Sequence, residues 1–307
     1  MKVQQNAALE QIDKTTADAR HTDGKYLFTR SGHRHTRTIV KIGDMKVGNQ
    51  ELAIIAGPCS VESAEQIMRI AREVKAAGAN LLRGGAFKPR TSPYDFQGLG
   101  ERGLQYLKEA SEETGLKVVT EVLDPRHVEL VARYADCLQI GSRNMQNYPL
   151  LREVGQCAKP ILLKRGLSAT YQEFLLAAEY IMSEGNTQVI LCERGIRGLS
   201  TELRFTLDLN AVPYLKEKTH LPIIVDPSHG TGDARLVPAM SRAAIACGAD
   251  GVIIETHYSP SDSLSDANQT ISTDQLAKLV KELAQIARTM GRRICLPEEK
   301  AIYKIKQ

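Results

Sequence analysis

The sequence predicts a (β/α)8 barrel, on three observations. Eight short apolar runs recur from about Lys46 onward in a chain of 307 residues. Segments of helical period separate them. The runs are apolar almost throughout, as strands buried on both faces are. Strands alternating with helices imply parallel pairing. Eight evenly spaced units suit a closed barrel. A doubly wound open sheet is the alternative architecture, and the even spacing favours the barrel.

In chain order, the first 25 or so residues carry no core pattern. "HTDGKYLFTRSGHRHTRTIV" follows, basic and rich in histidine. Its histidines sit among arginines, so a solvated or interface segment is expected rather than a metal site. The strands are "LAIIA" (52–56), "NLLRG" (80–84), "KVVTE" (117–121), "CLQIG" (137–141), "ILLKR" (161–165), "VILCE" (189–193), "PIIVD" (222–226) and "GVIIE" (251–255). Between them lie amphipathic helices such as "SAEQIMRIAREVKAAGA" and "YQEFLLAAEYIMSEG", and "TDQLAKLVKELAQIARTMG" follows the last strand. Residues 1–45 then form an N-terminal extension, too short for a separate regulatory domain. Residues 46–290 form the barrel, and residues 291–307 a C-terminal tail.

Composition excludes several classes. Hydrophobic content of 42% and charged content of 25% are ordinary for a soluble protein. No stretch is long and apolar enough to span a membrane. A net charge of +4 with no long basic run does not indicate a nucleic-acid binder. Trp is absent and aromatics are sparse, which argues against base-stacking platforms. Six cysteines without a CxxC pair, behind a polar N-terminus lacking a signal-like apolar run, point to a reducing cytoplasm and free thiols.

Barrel chemistry lies at the C-terminal strand ends. Those ends carry Cys59, Arg83, Glu121, Arg143, Lys164 with Arg165, Arg194, Asp226 with His229, and Glu255 with His257. One charged strand end is usually a solvated rim; a full set converging on one mouth reads as an active site. Arg83, Lys88, Arg90, Arg143, Lys164, Arg165 and Arg194 would crowd one cavity. Such crowding is tolerated when the ligands are polyanions, since Arg grips phosphate and carboxylate through a planar fork and Lys acts as a point charge. Two phosphorylated substrates would account for it.

Cys59, His229, Glu255 and Asp266 come from the first, seventh and eighth units, which adjoin when a barrel closes. Mixed S/N/O ligation suits a divalent transition ion with an open position. Spacing alone leaves open a buried Cys, a structural His and a capping Asp instead. "GTGDAR" lacks the third glycine of a dinucleotide fingerprint, because Arg235 stands there. No GxxxxGK[ST], GxSxG or HExxH occurs.

"AGPCSVES", "LLRGGAFKPRTSPYDFQGLG", "QIGSRNMQN", "PILLKRG", "ILCERG", "VDPSHGTG" and "LSDANQ", in this order, resemble the 3-deoxy-D-arabino-heptulosonate-7-phosphate (DAHP) synthase family in its short Iβ class. The resemblance runs from about Thr38 to Met290. It implies a metal-dependent barrel that condenses phosphoenolpyruvate with erythrose 4-phosphate, the first step of the shikimate pathway to aromatic amino acids. It implies a metal (Mn, Fe, Co, Zn or Cu) on Cys59, His229, Glu255 and Asp266. Phosphoenolpyruvate would be held by Arg83, Lys88, Arg143, Lys164 and Arg194, with Glu121 nearby. Erythrose 4-phosphate would meet Arg90, Thr91 and Asp266. Lys88, Glu121, His229 and Cys59 are the expected catalytic residues. A homo-oligomer, dimer or tetramer, is the family habit.

The nearest rival is the related 3-deoxy-D-manno-octulosonate-8-phosphate synthase family, which uses arabinose 5-phosphate and resembles "KANRSS" where this chain reads "KPRTS" (88–92). Some of its members dispense with metal and carry Asn at the position of Cys59. A non-catalytic barrel is the remote alternative, and it would have lost a ligand or clamp residue. None that can be matched is missing.

Overall fold

The fold is seen in a computed structural model that describes residues 26–33, 36–90, 92–199 and 201–294. A small antiparallel hairpin comes first, β1 (Val40–Ile42) on β2 (Met45–Val47). Eight parallel strands follow: β3 (Ala53–Gly57), β4 (Leu81–Arg83), β5 (Lys117–Glu121), β6 (Cys137–Ile140), β7 (Ile161–Lys164), β8 (Val189–Glu193), β9 (Ile223–Val225) and β10 (Gly251–His257). Each pairs with the next, and β10 pairs back onto β3, so the sheet closes. The barrel is the predicted one, and every predicted strand overlaps an observed one. A short β11 (Ile271–Ser272) adds to the outer part of β10.

The helices begin and end where local chemistry dictates. Ser63 caps Ala64–Ala76 by accepting from Gln66 N. Thr170 with Glu173 caps Tyr171–Ser183, and Ser272 with Gln275 caps Thr273–Thr289, each as a reciprocal box. Between β4 and Glu101–Thr114 the described part of the long loop folds back on itself: Lys88 N donates to Gln97 O at 3.0 Å and Gly100 N to Ala86 O at 2.9 Å. Gly98 permits that fold-back. Its φ is +92°, and a Cβ there would stand 2.2 Å from Ala86 O.

Two apolar layers result. Strand residues of one parity join the helices in the outer layer, for example Leu82, Leu138, Leu191 and Ile254. Those of the other parity fill the barrel, and Val40, Ile42, Met45 and Val47 of the hairpin cluster with them. The hairpin therefore belongs to the interior packing.

The basic N-terminal segment, expected to be solvated or at an interface, is exposed at Ser31–His33 and packs on the barrel around Thr29 and Thr38. In its described part Thr29 is fully buried. Phe28 N and Thr29 N donate to Glu179 Oε1 at 3.0 and 2.8 Å, and Thr38 Oγ1 lies 2.7 Å from His220 Nδ1. Hydrogen bonds to helix and loop groups of the barrel outweigh its polarity.

Candidate active site

Side chains alternate across a strand, and the inward positions change chemistry within one alternation. Leu81, Val119, Cys137, Leu162, Cys192, Ile224 and Ile253 all lie in the inner apolar layer. Two residues further along each strand stand Arg83, Glu121, Gln139, Lys164, Arg194, Asp226 and Glu255. The barrel is greasy up to one level and polar at the next. That polar level floors a cavity of about 230 Å³, lined by seven cations, three carboxylates and His229. The excess of cations makes it an anion site.

The structure brings together almost every expected residue. Arg83, Lys88, Arg90, Arg143, Lys164, Arg194, Glu121, His229 and Asp266 all line the cavity. Thr91 lies outside the described residues. Arg165 is a correction. It points to the outer layer, where Nη1 pairs with Glu193 at 2.9 Å and Asp208 at 3.0 Å, and its guanidinium packs 4.5 Å from the centre of the Tyr171 ring. Adjacent strand residues face opposite sides, so Lys164 and Arg165 cannot both enter the barrel. His257 also lies outside the cavity lining; it is buried and stacks on Tyr258.

The cations differ in what holds them. Lys164 Nζ is 2.6 Å from Asp226 Oδ2, with both side chains buried. Arg83 Nη1 lies 3.2 Å from Glu255 Oε1, and Arg90 Nε 3.4 Å from the half-exposed Asp95. Arg143 and Arg194 have no carboxylate partner among the described residues. Arg194 instead lies over the Phe205 ring at 4.1 Å, and burial pulls its pKa down. These two guanidiniums are the ones left to meet an external anion. Across the cavity, Gln139 Nε2 donates to Glu121 Oε2 at 3.0 Å. A Cβ at Gly141 would stand 2.1 Å from Glu121 Oε1, so Gly141 leaves room for that carboxylate.

Beside this wall the four expected ligand residues converge. One ligand atom each of Cys59, Glu255 and Asp266 lie within 4.8 Å of one another. His229 Nε2 is 3.4 Å from Glu255 Oε1 and 3.9 Å from Asp266 Oδ2, while its Nδ1 sits 2.8 Å from Asp226 Oδ2. Cys59 Sγ is 3.2 Å from Asp266 Oδ2 and 3.0 Å from Lys88 Nζ. Burial, then Glu255, pushes the Cys59 thiol up to about 12. Burial opposes ionisation of Asp266, yet His229 and Arg204 outweigh it and bring its pKa to about 2. Burial lowers His229 against the pull of Asp226 and Glu255. The arrangement fits a divalent cation. Glu255 Oε1 is buried without a hydrogen bond, and it faces a thiol, an imidazole and a second carboxylate, a donor set suited to a borderline-soft ion.

Sequence reasoning missed Arg204, Phe205 and Gln269. Arg204 and Phe205 line the cavity from the irregular segment between β8 and Ala211–Lys218. Gln269 Nε2 donates to Glu255 Oε2 at 2.6 Å. None sits at a strand end, so alternation carried no signal; only an arginine beside an aromatic in a polar loop marked the place.

Comparison with known proteins gives the family and the fold. A family model described as the DAHP synthetase I family matches residues 30–291. A phospho-2-dehydro-3-deoxyheptonate aldolase of Thermotoga maritima is 52% identical over 254 residues, 83% of this chain and 75% of the relative. A crystal structure of that type of enzyme from Thermotoga maritima superposes with a TM-score of 0.85 at 49% identity, covering 87% of this chain and 78% of that one. A truncated 3-deoxy-D-arabino-heptulosonate 7-phosphate synthase from the same organism gives 0.83 at 47% identity, covering 88% of this chain and 99% of its own. A 2-dehydro-3-deoxyphosphooctonate aldolase of Syntrophotalea carbinolica is 31% identical, over 80% of this chain and 95% of the relative.

Proposed function

We propose a reading of this site from one premise: the chain belongs to the DAHP synthetase I family. Its function is that of a DAHP synthase. It condenses phosphoenolpyruvate with D-erythrose 4-phosphate and water, giving DAHP and phosphate, the first step of the shikimate pathway. The observation that carries the assignment of roles is the cavity wall, with its seven cations against three carboxylates, next to the Cys59, His229, Glu255 and Asp266 cluster.

Arg143 and Arg194, which pair with no carboxylate among the described residues, take the phosphate and carboxylate of phosphoenolpyruvate, assisted by Arg83, Lys88 and Lys164. Forked guanidiniums suit both groups. Arg90, tethered loosely to Asp95, takes the aldose phosphate together with Thr91, and Asp266 lies near the sugar hydroxyls. Cys59, His229, Glu255 and Asp266 would hold a divalent ion, Mn, Fe, Co, Zn or Cu, which when bound supplies Lewis-acid polarisation of the aldehyde. Carbon 3 of phosphoenolpyruvate attacks the aldehyde carbon. Positive charge develops at carbon 2, water adds there, and the hemiketal phosphate collapses with C–O cleavage. Lys88 gives a proton to the new hydroxyl. Its ammonium is maintained because, although burial opposes the charge, Cys59 and Glu255 outweigh that and raise its pKa. Glu121, oriented by Gln139, directs the incoming water through a phosphate oxygen.

Phosphate release with erythrose 4-phosphate and with arabinose 5-phosphate tests the acceptor. Turnover is expected with the four-carbon sugar, and a preference for the five-carbon sugar would overturn the reading. The octulosonate-type relative is more distant, at 31% against 52% identity. Chelation is expected to abolish turnover and added Mn(II) to restore it; full activity in demonstrably metal-free protein would count against the ligand set. The rest of the reading is a homo-oligomer, which follows the family resemblance, and a cytoplasmic setting, which follows the cysteine usage; sedimentation velocity tests the assembly.

A further inference from the structure

Each carboxylate of the ligand cluster divides its two oxygens between two tasks. Asp266 turns Oδ2 toward Cys59 and His229, at 3.2 and 3.9 Å, and Oδ1 toward Arg204 Nη1, at 3.2 Å. Glu255 turns Oε1 toward Arg83 Nη1, at 3.2 Å, and His229, at 3.4 Å, and Oε2 toward Gln269 Nε2, at 2.6 Å. The two outward oxygens lead to the same place, because Arg204 Nη1 also donates to Gln269 Oε1 at 2.7 Å. One guanidinium therefore holds Asp266 directly and Glu255 through a buried amide. Its backbone reaches the third element of the cluster: Arg204 N donates to Thr231 O at 3.3 Å, at the end of the short helix Pro227–Thr231 that carries His229.

The surroundings are shaped for this clamp. Thr206 and Ile196 exchange both backbone hydrogen bonds, at 2.9 and 3.0 Å, which anchors the strand of chain bearing Arg204. Gly232, at φ +72°, lies against the arginine stem, and a Cβ there would come within 2.4 Å of Arg204 Cβ. Asp266 is the only non-glycine residue with positive φ among the described residues, at 52°. Aspartate enters this region more readily than most residues, and here it does so beside the Arg204 contact.

We propose that Arg204 is a positioning residue for the metal centre. It works through Asp266 and Gln269 to fix which oxygen of each carboxylate faces the ion. The inference rests on the metal-site reading given above. An alternative role predicts the opposite sign. If Arg204 were only a counter-charge for Asp266, removing it would take a cation away from the site and leave divalent-ion binding unchanged or tighter. If it orients the ligands, removing it weakens binding, by about 10–100-fold for the loss of an outer partner.

The test is titration of metal-free protein with Mn(II) alone, followed by the loss of the free-ion EPR signal. Wild type, Arg204→Gln and Arg204→Lys are compared, with circular dichroism melts of the metal-free forms as a check on folding. Arg204 is partly exposed, so all three are expected to fold. Arg204→Gln is expected to raise the Mn(II) Kd by at least about 10-fold, with Arg204→Lys between the two because a single ammonium lacks the fork. Equal or tighter Mn(II) binding by Arg204→Gln overturns the proposal. So does unchanged Mn(II) binding with a raised KM for the aldose phosphate, which would make Arg204 a substrate group. Wild type that binds no Mn(II), Co(II) or Zn(II) would instead sink the metal-site reading itself.

Discussion

The two ends of the barrel are built from the same eight strands and do opposite work. At the floor, the hairpin residues Val40, Ile42, Met45 and Val47 pack with Ala53, Leu81 and Val119 into a dry layer. At the mouth, one strand alternation further on, the inward positions are Arg83, Glu121, Lys164, Arg194, Asp226 and Glu255. The floor contributes stability through burial, the mouth chemistry through charges held close together. Parallel pairing permits the division, because every strand enters at the floor and leaves at the mouth, so one register separates the two tasks in all of them.

Perturbing the mouth alone should give the largest effect. Lys88→Ala is expected to lower kcat by about 10²–10⁴-fold, the usual range for a positioned proton donor, with little change in melting temperature. Near-normal turnover would remove Lys88 from the mechanism. The converse change is Ile42→Ala in the floor. It should cost about 2–5 kcal/mol of stability, measured by urea unfolding, while kcat per folded molecule stays within about twofold because no floor residue touches substrate. A large loss of kcat there would break the separation.

Lys164→Met asks where the separation ends. Lys164 serves the mouth, yet with Asp226 it forms a fully buried pair. Removing Lys164 leaves the buried Asp226 with His229 as its remaining partner, a loss of up to about 3–5 kcal/mol. Both stability and the KM for phosphoenolpyruvate should suffer, and an unaltered unfolding curve would mean that Asp226 finds other partners. Asp95→Asn should have the smallest effect. The Arg90–Asp95 contact is long and partly exposed, so stability should change by less than about 1 kcal/mol. The reading to follow is KM for the aldose phosphate, which should move while that for phosphoenolpyruvate does not.

Much of this was legible in the chain. The strands were marked by apolar runs, six of the eight ending at or beside a charge, and burial on both faces leaves few other sequences for them. Cys59, His229, Glu255 and Asp266 could be named because closing a barrel makes its first and last strands neighbours. Arg165 shows the limit of reading strand ends as a set: it follows Lys164, and alternation sends it outward to Glu193 and Asp208. Arg204 shows another limit, since a residue in an irregular segment has no period from which to infer its direction.

The sequence by itself determined the closed parallel barrel, the level at which its interior turns from apolar to charged, and the residue types gathered there. Those follow from local rules: a strand alternates with period two, and a charge is kept out of a dry layer. Only the tertiary structure decided which charges neutralise one another. Lys164 is bound to Asp226 and Arg83 lies by Glu255, while Arg143 and Arg194 keep no carboxylate among the described residues. It alone decided that Arg204 and Gln269 hold the outward oxygens of Asp266 and Glu255. Pairing depends on distances of a few ångströms between segments far apart in the chain, and no local pattern of residues encodes them.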